Sequence, residues 1–146
     1  MKKEIRTVCY DDDLRLEAYR FEGIVQSFPN HFHNYYVIGF IESGTHCLSC
    51  KNKEYTVGQG NILLFNPNDN HSCVQCDGEA FDYRGLNISK ETMLSLVEEV
   101  TGQRELLGFS ENVIKNDELN IYLHSLHQSI MEGSKEFEKE EMLLLL

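Results

Sequence analysis

The sequence predicts a mainly β domain followed by C-terminal α-helices. Over the first two-thirds of the 146 residues, short apolar or alternating runs are separated by Gly, Asn and Asp turns. Over the last third, apolar residues recur at helical spacing. Hydrophobic residues make up 41% of the chain and charged residues 25%, which is typical of one globular domain with a sizeable core.

Seven runs predict β-strands. The first, LRLEAYRF from Leu14, alternates apolar and polar residues, and the second, YYVIGFIE, is nearly continuously apolar. THCLSC follows the turn ESG, and KEYTV follows KN. NILLF follows the turn Gly58-Gln59-Gly60, HSCVQC follows NPNDN, and FDYRGLNI follows DGEA. Seven or more short strands at this spacing predict an antiparallel sandwich or barrel.

The last third of the chain changes to a helical period. Ser89 is a cap for a first helix that ends at Gly102, and Asn116 is a cap for a second that ends near Gly133. Ser134 opens a third helix, which runs into the terminal MLLLL. Because nothing covers these leucines, we interpret them as part of a helix that continues in a longer protein. One face of the second helix carries the apolar residues Leu119, Tyr122, Leu123, Leu126 and Ile130.

The charge balance excludes some classes of partner. The formal net charge is −11, with 24 acidic and 13 basic residues, so these residues lack the basic face that binds nucleic acid. No apolar run approaches the roughly 20 residues that span a bilayer, and the N-terminus has no apolar stretch typical of a signal peptide. We therefore expect a cytoplasmic protein with no membrane partner.

Five cysteines are expected to stay reduced in that compartment. Four of them form two C-x-x-C pairs, CLSC and CVQC, separated by 22 residues, which is close to a zinc-site template. However, residues three apart on a regular strand point to opposite faces, so one sheet does not easily aim four sulfurs at one point. Core packing is favoured over both a zinc site and a thiol redox sensor.

Three histidines and their neighbours suggest a binding site. His31 and His33 are one residue apart and would point the same way on a strand, and Tyr35 shares their parity. His71 follows a turn that contains Pro67. The alternative is that these rings line the mouth of a barrel and hydrogen-bond to its loops.

Arg84 lies on a mostly apolar predicted strand, with Tyr83 facing the opposite side. An arginine there forms a structural ion pair or selects a ligand that carries a carboxylate.

The pattern His31-Phe32-His33, Gly44, Gly60, Pro67 and His71 resembles the two motifs of the cupin superfamily over roughly residues 20–88. The resemblance implies a cupin-like jelly-roll barrel in which the three histidines meet. Metal-binding cupins carry a Glu four or five residues after the second His, and here those positions are Val37 and Ile38. We therefore expect that no cofactor is required, although His31, His33 and His71 could still hold a divalent metal.

The longer stretch from HFHNYYVIGFIESG to FDYRGLNIS resembles the N-terminal effector-binding domain of AraC-type transcriptional regulators. This resemblance implies a barrel over residues 1–110, with a helix at about 89–101, and a helical dimerisation region over residues 111–146. It further implies a small-molecule effector, a homodimer, and DNA binding only through a C-terminal domain absent from this chain. The acidic balance fits that implication.

From these patterns we predict a non-enzymatic sensor that binds a sugar or an organic acid. The predicted effector-binding residues are His31, His33, Tyr35, His71 and Arg84. The predicted dimerisation residues are Leu119, Tyr122, Leu123, Leu126 and Ile130. The alternative is a metal-dependent cupin enzyme, an oxygenase or isomerase, that uses the three histidines.

Overall fold

The computed structural model describes residues 5–11, 16–24, 28–31, 33–51, 53–75, 81–105 and 108–132. Within these ranges the chain forms ten β-strands and two α-helices, which confirms the predicted fold class. The strands are β1 (Ile5–Asp11), β2 (Leu16–Ile24), β3 (Phe28–His31), β4 (Tyr36–Ser43), β5 (His46–Cys50), β6 (Lys53–Val57), β7 (Asn61–Phe65), β8 (His71–Gln75), β9 (Phe81–Ile88) and β10 (Val113–Lys115). The helices are α1 (Lys90–Thr101) and α2 (Asp117–Met131).

The strands of the described ranges pair into two antiparallel sheets. The six-stranded sheet has the order β1-β2-β9-β4-β7-β10, and the four-stranded sheet has the order β3-β8-β5-β6. Strands distant in sequence become neighbours, since β9 lies between β2 and β4. The two sheets share one apolar core, and they therefore enclose a barrel.

The six-stranded sheet carries a different core on each face, because side chains alternate along a strand. We call the face toward the four-stranded sheet the inner face and the face toward the helices the outer face. The inner core comprises Tyr19, Val37, Ile41, Leu63 and Phe65 with Leu48, Cys50 and Val57 of the four-stranded sheet. The outer core comprises Leu16, Ala18, Tyr36, Phe40, Ile62, Leu86 and Ile88 with Leu123, Leu126 and Ile130 of α2.

Both described helices begin and end where the sequence predicts. The Ser89 hydroxyl accepts a hydrogen bond from the Thr92 amide at 3.1 Å, and Gly102 ends α1 with φ of 80°. The Asn116 side chain accepts from the Leu119 amide at 3.0 Å and caps α2. The predicted third helix lies outside the described residues. No helix in the described part of the chain is long and apolar enough to cross a membrane.

The apolar stripe of α2 packs on the outer face of the sheet of the same chain. Leu123, Leu126 and Ile130 are at most 3% exposed within this single chain, and Leu119 packs against the same core. The sheet of the same chain thus covers Leu123, Leu126 and Ile130, which are not accessible to a second subunit, whereas Leu119 is only partly buried. Of the five residues predicted for dimerisation, only Tyr122 is substantially exposed, at 37%.

Three of the described strands, β1, β3 and β10, were not predicted from the sequence, and each lies at an edge of its sheet. The strand β10 pairs with β7 through Val113 and Leu63. The expected boundary at residue 110 therefore does not separate a barrel from a helical region, since β10 belongs to the six-stranded sheet.

Candidate functional site

A cavity of about 320 Å³ lies against the inner face, between the two sheets. Its volume is at the lower end of the range for small-molecule pockets, about 300–1,000 Å³. Its walls come from both sheets and from the segment that precedes β4. The lining residues are Val8, Glu17, Tyr19, Phe21, His33, Tyr35, Val37, Leu48, Leu63, Phe65, His71, Tyr83 and Asn87.

Three residues predicted to contact an effector lie together in this wall. The His33 ring stacks on Tyr35, with centroids 4.7 Å apart, and its centroid is 5.5 Å from that of His71. The His71 ring stacks on Phe65 at 3.9 Å with an interplanar angle of 4°. The next residue, Tyr36, is 3% exposed in the outer core, so the two neighbouring tyrosines face opposite sides of the sheet.

The HFH motif does not lie on one strand, contrary to the expectation from sequence. β3 ends at His31, β4 begins at Tyr36, and His33 lies in the connecting segment. The backbone of His31 pairs with His71. The side chain of His31 lies outside the described residues.

The NPND turn, residues 66–69, holds the two histidines of the cavity wall. The Asn68 amide donates to the His33 carbonyl oxygen at 2.7 Å, and Asn68 adopts the left-handed conformation with φ of 72°. The Asp69 carbonyl oxygen accepts from His71 Nδ1 at 3.1 Å. Since a carbonyl only accepts, this contact places the proton of neutral His71 on Nδ1 and leaves Nε2 as an acceptor.

A buried carboxylate anchors this turn. Asp69 Oδ2 accepts from the Asn66 amide at 2.9 Å and from Asn112 Nδ2 at 3.2 Å, and Lys51 Nζ lies 3.3 Å from Oδ1. Burial acts to raise the pKa of Asp69, but the hydrogen bond from Asn66 and those from Lys51 and Asn112 outweigh it. The pKa of Asp69 is therefore below its ordinary value of 3.8.

The donor set for a metal is limited in the described residues. His33 and His71 are close, but no group of three or more His, Cys, Asp or Glu side chains gathers there or elsewhere in the described ranges. Val37, at a position where metal-binding cupins carry a carboxylate, presents an apolar wall to the cavity. The described residues therefore do not form a metal site, and occupancy by a metal stays a prediction that depends on His31.

Arg84 does not line the cavity. It lies on the outer face, where its Nε atom is 2.6 Å from Glu42 Oε1 and its Nη1 donates to Gln128 Oε1 at 3.3 Å. His124 Nε2 lies 3.1 Å from the same Glu42 oxygen. The expectation that Arg84 contacts an effector is thus corrected: strand parity directs it away from the cavity, into an ion pair beside α2.

Four polar residues of the cavity wall were not assigned to it from the sequence. The Asn87 side-chain amide donates to Glu17 Oε1 at 2.9 Å. The Tyr19 hydroxyl donates to the Tyr83 hydroxyl at 3.0 Å. Burial, and next the proximity of Tyr83, raise the pKa of Tyr19 well above 10.0, so this phenol stays neutral. The alternation of LRLEAYRF could have indicated the two β2 residues, since Glu17 and Tyr19 share one face with Phe21.

Two glycines make room for this tyrosine pair. Gly39 and Gly85 are opposite each other in the β4–β9 register. A Cβ at Gly39 would overlap the Tyr83 hydroxyl, and a Cβ at Gly85 would overlap the Tyr19 hydroxyl. The rings therefore lie directly on the backbone of the inner face, and any larger residue would push them into the cavity.

A buried histidine joins α2 to the strand that bears Tyr19. His127 is 0% exposed, and its Nε2 donates to the Tyr19 carbonyl oxygen at 2.8 Å. In the described part of the chain its Nδ1 has no hydrogen-bond partner. Burial, assisted by the charge of Arg84, lowers the pKa of His127 from 6.5 to about 4 against the opposing effect of the Tyr19 carbonyl. His127 is therefore neutral at physiological pH.

The cysteines differ from the expectation that all are reduced. Cys47 is disulfide-bonded, whereas Cys9 and Cys50 have free thiols. Cys50 is 1% exposed in the inner core. Burial is the larger cause that raises its pKa, and the negative charge of Asp69 is the second. Packing thus accounts for Cys50, as predicted, but not for Cys47.

Solved structures confirm the barrel fold. The chain is similar to an RmlC-like cupin family protein with a double-stranded β-helix fold from Methanocaldococcus jannaschii. The TM-score is 0.51 at 14% identity, over 61% of this chain and 83% of that one. It is also similar to a cupin superfamily protein from Desulfitobacterium hafniense DCB-2. There the TM-score is 0.52 at 10% identity, over 60% of this chain and 79% of that one.

Sequence comparison identifies the family of the chain as well as its fold. The chain is 49% identical over all its 146 residues to the uncharacterised HTH-type transcriptional regulator YbfI of Bacillus subtilis (strain 168). It spans 53% of the length of that relative. The family model of the AraC-like ligand binding domain matches residues 14–146. The chain therefore belongs to the family of AraC-like ligand binding domains of transcriptional regulators.

Proposed function

We propose that this domain senses a small molecule in its barrel and controls the DNA binding of a regulator that operates in the cytoplasm. The observation that carries the proposal is the cavity of about 320 Å³, whose walls combine aromatic rings with a few polar groups. DNA binding would reside in a helix-turn-helix portion, as the name of the Bacillus relative indicates for that protein.

The signal would pass through the six-stranded sheet to α2. Tyr19 lines the cavity with its side chain and bonds His127 of α2 with its carbonyl oxygen. On β9, Tyr83 lines the cavity and the next residue, Arg84, bonds the α2 residue Gln128. A ligand that shifts either tyrosine acts on a strand that also holds α2. Such a ligand changes the position of α2 only if it binds two arrangements of the domain, which differ in that position, with different affinities.

Self-association is part of this proposal. The exposed side of α2 carries the neighbouring residues Ile121 and Tyr122, which are 67% and 37% exposed. A second copy of the domain could cover these two side chains while the core-facing stripe stays in place. Analytical ultracentrifugation should show a dimer that Ile121→Asp dissociates, with the circular dichroism spectrum unchanged. A wild-type protein that sediments as a monomer at all concentrations contradicts this part.

A thermal-shift screen tests the sensing function. A compound that binds only the folded state at 100 times its Kd should stabilise the protein by about 2.7 kcal/mol. Tyr35→Ala should abolish the shift, because Tyr35 lies in the cavity wall, whereas His124→Ala should retain it, because His124 lies on the outer face. The proposal fails if no compound raises Tm, or if Tyr35→Ala leaves every shift unchanged.

A reporter assay tests transmission in the full-length regulator. Glu42→Gln should keep the ligand affinity and weaken the transcriptional response, because Glu42 binds Arg84 on the outer face and does not line the cavity. An unchanged response would exclude this ion pair from the route.

The metal-dependent enzyme remains the alternative, favoured by the proximity of the His33 and His71 rings in the cavity. Elemental analysis of the purified protein decides between the two. Stoichiometric metal that is lost in His71→Ala would favour the enzyme.

A further inference from the structure

One carboxylate supplies the charge of the cavity wall. Glu17 lines the cavity, and none of the described lining residues is a lysine or an arginine. Arg84, the residue expected to select a carboxylate, bonds Glu42 on the other face of the sheet. The basis for an organic acid as effector is thereby removed, and the sign of the charge favours a cationic ligand.

Glu17 is held in a defined position. The Asn87 amide donates to Oε1 at 2.9 Å, and no other partner for Glu17 occurs in the described part of the chain. The second carboxylate oxygen is therefore available to accept from a ligand, and an ammonium group is a strong donor to it. Burial is the larger cause that raises the pKa of Tyr35, and the negative charge of Glu17 is the second. The carboxylate therefore acts on this cavity-lining ring.

The rest of the wall fits the body of such a ligand. The aromatic rings of Tyr19, Phe21, Tyr35 and Tyr83 line the same cavity as Glu17, and aromatic faces attract cations. Phe21 already shows this chemistry, since the guanidinium of Arg6 lies 5.3 Å from its ring centroid. The remaining walls include Val37 and other aliphatic side chains, which exclude charge but accept an apolar body.

A sugar is less compatible with this arrangement. A sugar carries hydroxyl groups around its ring and needs polar partners on several sides. Here the Tyr19 and Tyr83 hydroxyls bond each other, and the Asn87 amide bonds Glu17. Apart from the His33 and His71 rings, the cavity therefore offers one strong polar anchor and several apolar walls, which fits a ligand with one charged end.

We propose that the effector is a small organic amine with an apolar or aromatic body, whose ammonium group binds Glu17 among the cavity tyrosines. This inference rests on the proposed sensing function and names its ligand class. The volume of about 320 Å³ limits the ligand to a small molecule.

Four probes test the ligand class against the purified protein: benzylamine, benzyl alcohol, benzoate and glucose. The first three have the same size and ring and differ in the charge of one group. Benzylamine should raise Tm most, with a Kd at least tenfold lower than that of benzoate. Glu17→Gln should raise the Kd of benzylamine at least tenfold and leave that of benzyl alcohol within about twofold, because Gln keeps an oxygen for the Asn87 amide.

Glu22→Gln is the matched control. Glu22 is a carboxylate on the same strand, but it lies on the opposite face and pairs with Arg20 at 3.1 Å. This variant should bind benzylamine as the wild type does. Binding of benzoate or glucose in preference to benzylamine overturns the amine class but leaves the sensing function intact. A failure of all four probes to change Tm also overturns the amine class, and the wider thermal-shift screen then tests the sensing function separately.

Discussion

The two faces of the six-stranded sheet are built from the same strands but are suited to different tasks. The outer face is filled by apolar side chains of α2, and its charged residue Arg84 has a protein partner. The inner face leaves an open cavity with Glu17 in its wall. Both faces thus carry part of the apolar core, but the cavity that we propose for the ligand lies on the inner face. Substitutions on the two faces should therefore separate stability from binding.

The largest effect is expected from Leu126→Ala on the outer face. Leu126 is 0% exposed, so truncation should lower the free energy of unfolding by about 3 kcal/mol through lost burial and a residual cavity. Urea denaturation measures this. Val100→Ala, at a position of α1 that is 63% exposed, should change it by less than about 0.5 kcal/mol. A cost below about 1 kcal/mol for Leu126→Ala would mean that α2 does not contribute to the outer core as described.

The stability of the outer face should also depend on pH. The pKa of His127 is about 4 in the folded protein and 6.5 in the unfolded chain, so the unfolded chain binds more protons between these values. Stability is full above about pH 6.5 and falls as the pH decreases toward 4, by at most roughly 3 kcal/mol. Urea midpoints measured from pH 7.5 to 4.5 should show this loss.

His127→Gln supplies the control for the pH dependence. This variant should be less stable at neutral pH but show a flatter profile between pH 6.5 and 4.5. The carboxyl of Asp69 titrates below that window, because its pKa is lowered from 3.8. An unchanged slope in His127→Gln would assign the pH dependence to other groups.

A smaller effect, on both stability and ligand affinity, is expected from Gly85→Ala on the inner face. The added Cβ would overlap the Tyr19 hydroxyl and push the ring into the cavity. Overpacking of this kind costs about 1–3 kcal/mol, and ligand affinity should fall with it. Gly58→Ala is the control, since a Cβ there would meet its nearest atom at an ordinary 3.5 Å. Unimpaired binding by Gly85→Ala would show that the tyrosines do not shape the site.

The smallest effect is expected from Tyr83→Phe. This change removes the hydroxyl that accepts from Tyr19 at 3.0 Å and leaves the ring in place. The free energy of unfolding should fall by about 1 kcal/mol. A calorimetric titration with benzylamine should give a Kd close to that of the wild type. A large loss of affinity would assign the hydroxyl a direct contact with the ligand.

The spacing of apolar residues and their alternation along strands predicted the features of this fold that depend on a few neighbouring residues. The two helix caps and the opposite faces of Tyr83 and Arg84 follow directly from them. The three unpredicted strands β1, β3 and β10 all lie at sheet edges. An edge strand pairs on one side only, so its sequence carries a weaker alternation, and in β3 it tolerates Pro29.

The site was predictable only in part. A sequence pattern shows that a residue is buried, but it does not show which residues it packs against. The stripe that includes Leu126 was correctly identified as apolar, yet its partner is the sheet of the same chain. Arg84 was correctly assigned to a strand. Which side of that strand faces the cavity is decided by its pairing with β2 and β4, which the sequence pattern does not show. Glu17 was overlooked because a carboxylate in an alternating strand is usually solvated.

The hydrogen bonds of the NPND turn also tie it to a segment that comes much later in the chain. Asn112, which donates to Asp69, follows it by 43 residues, and Phe109 bonds Asn66 across the same interval. A nascent chain that ends after β8 carries His33 and His71 but lacks these contacts. The turn that holds the histidine wall of the cavity therefore depends on residues 109 and 112. These residues follow every strand that lines the cavity.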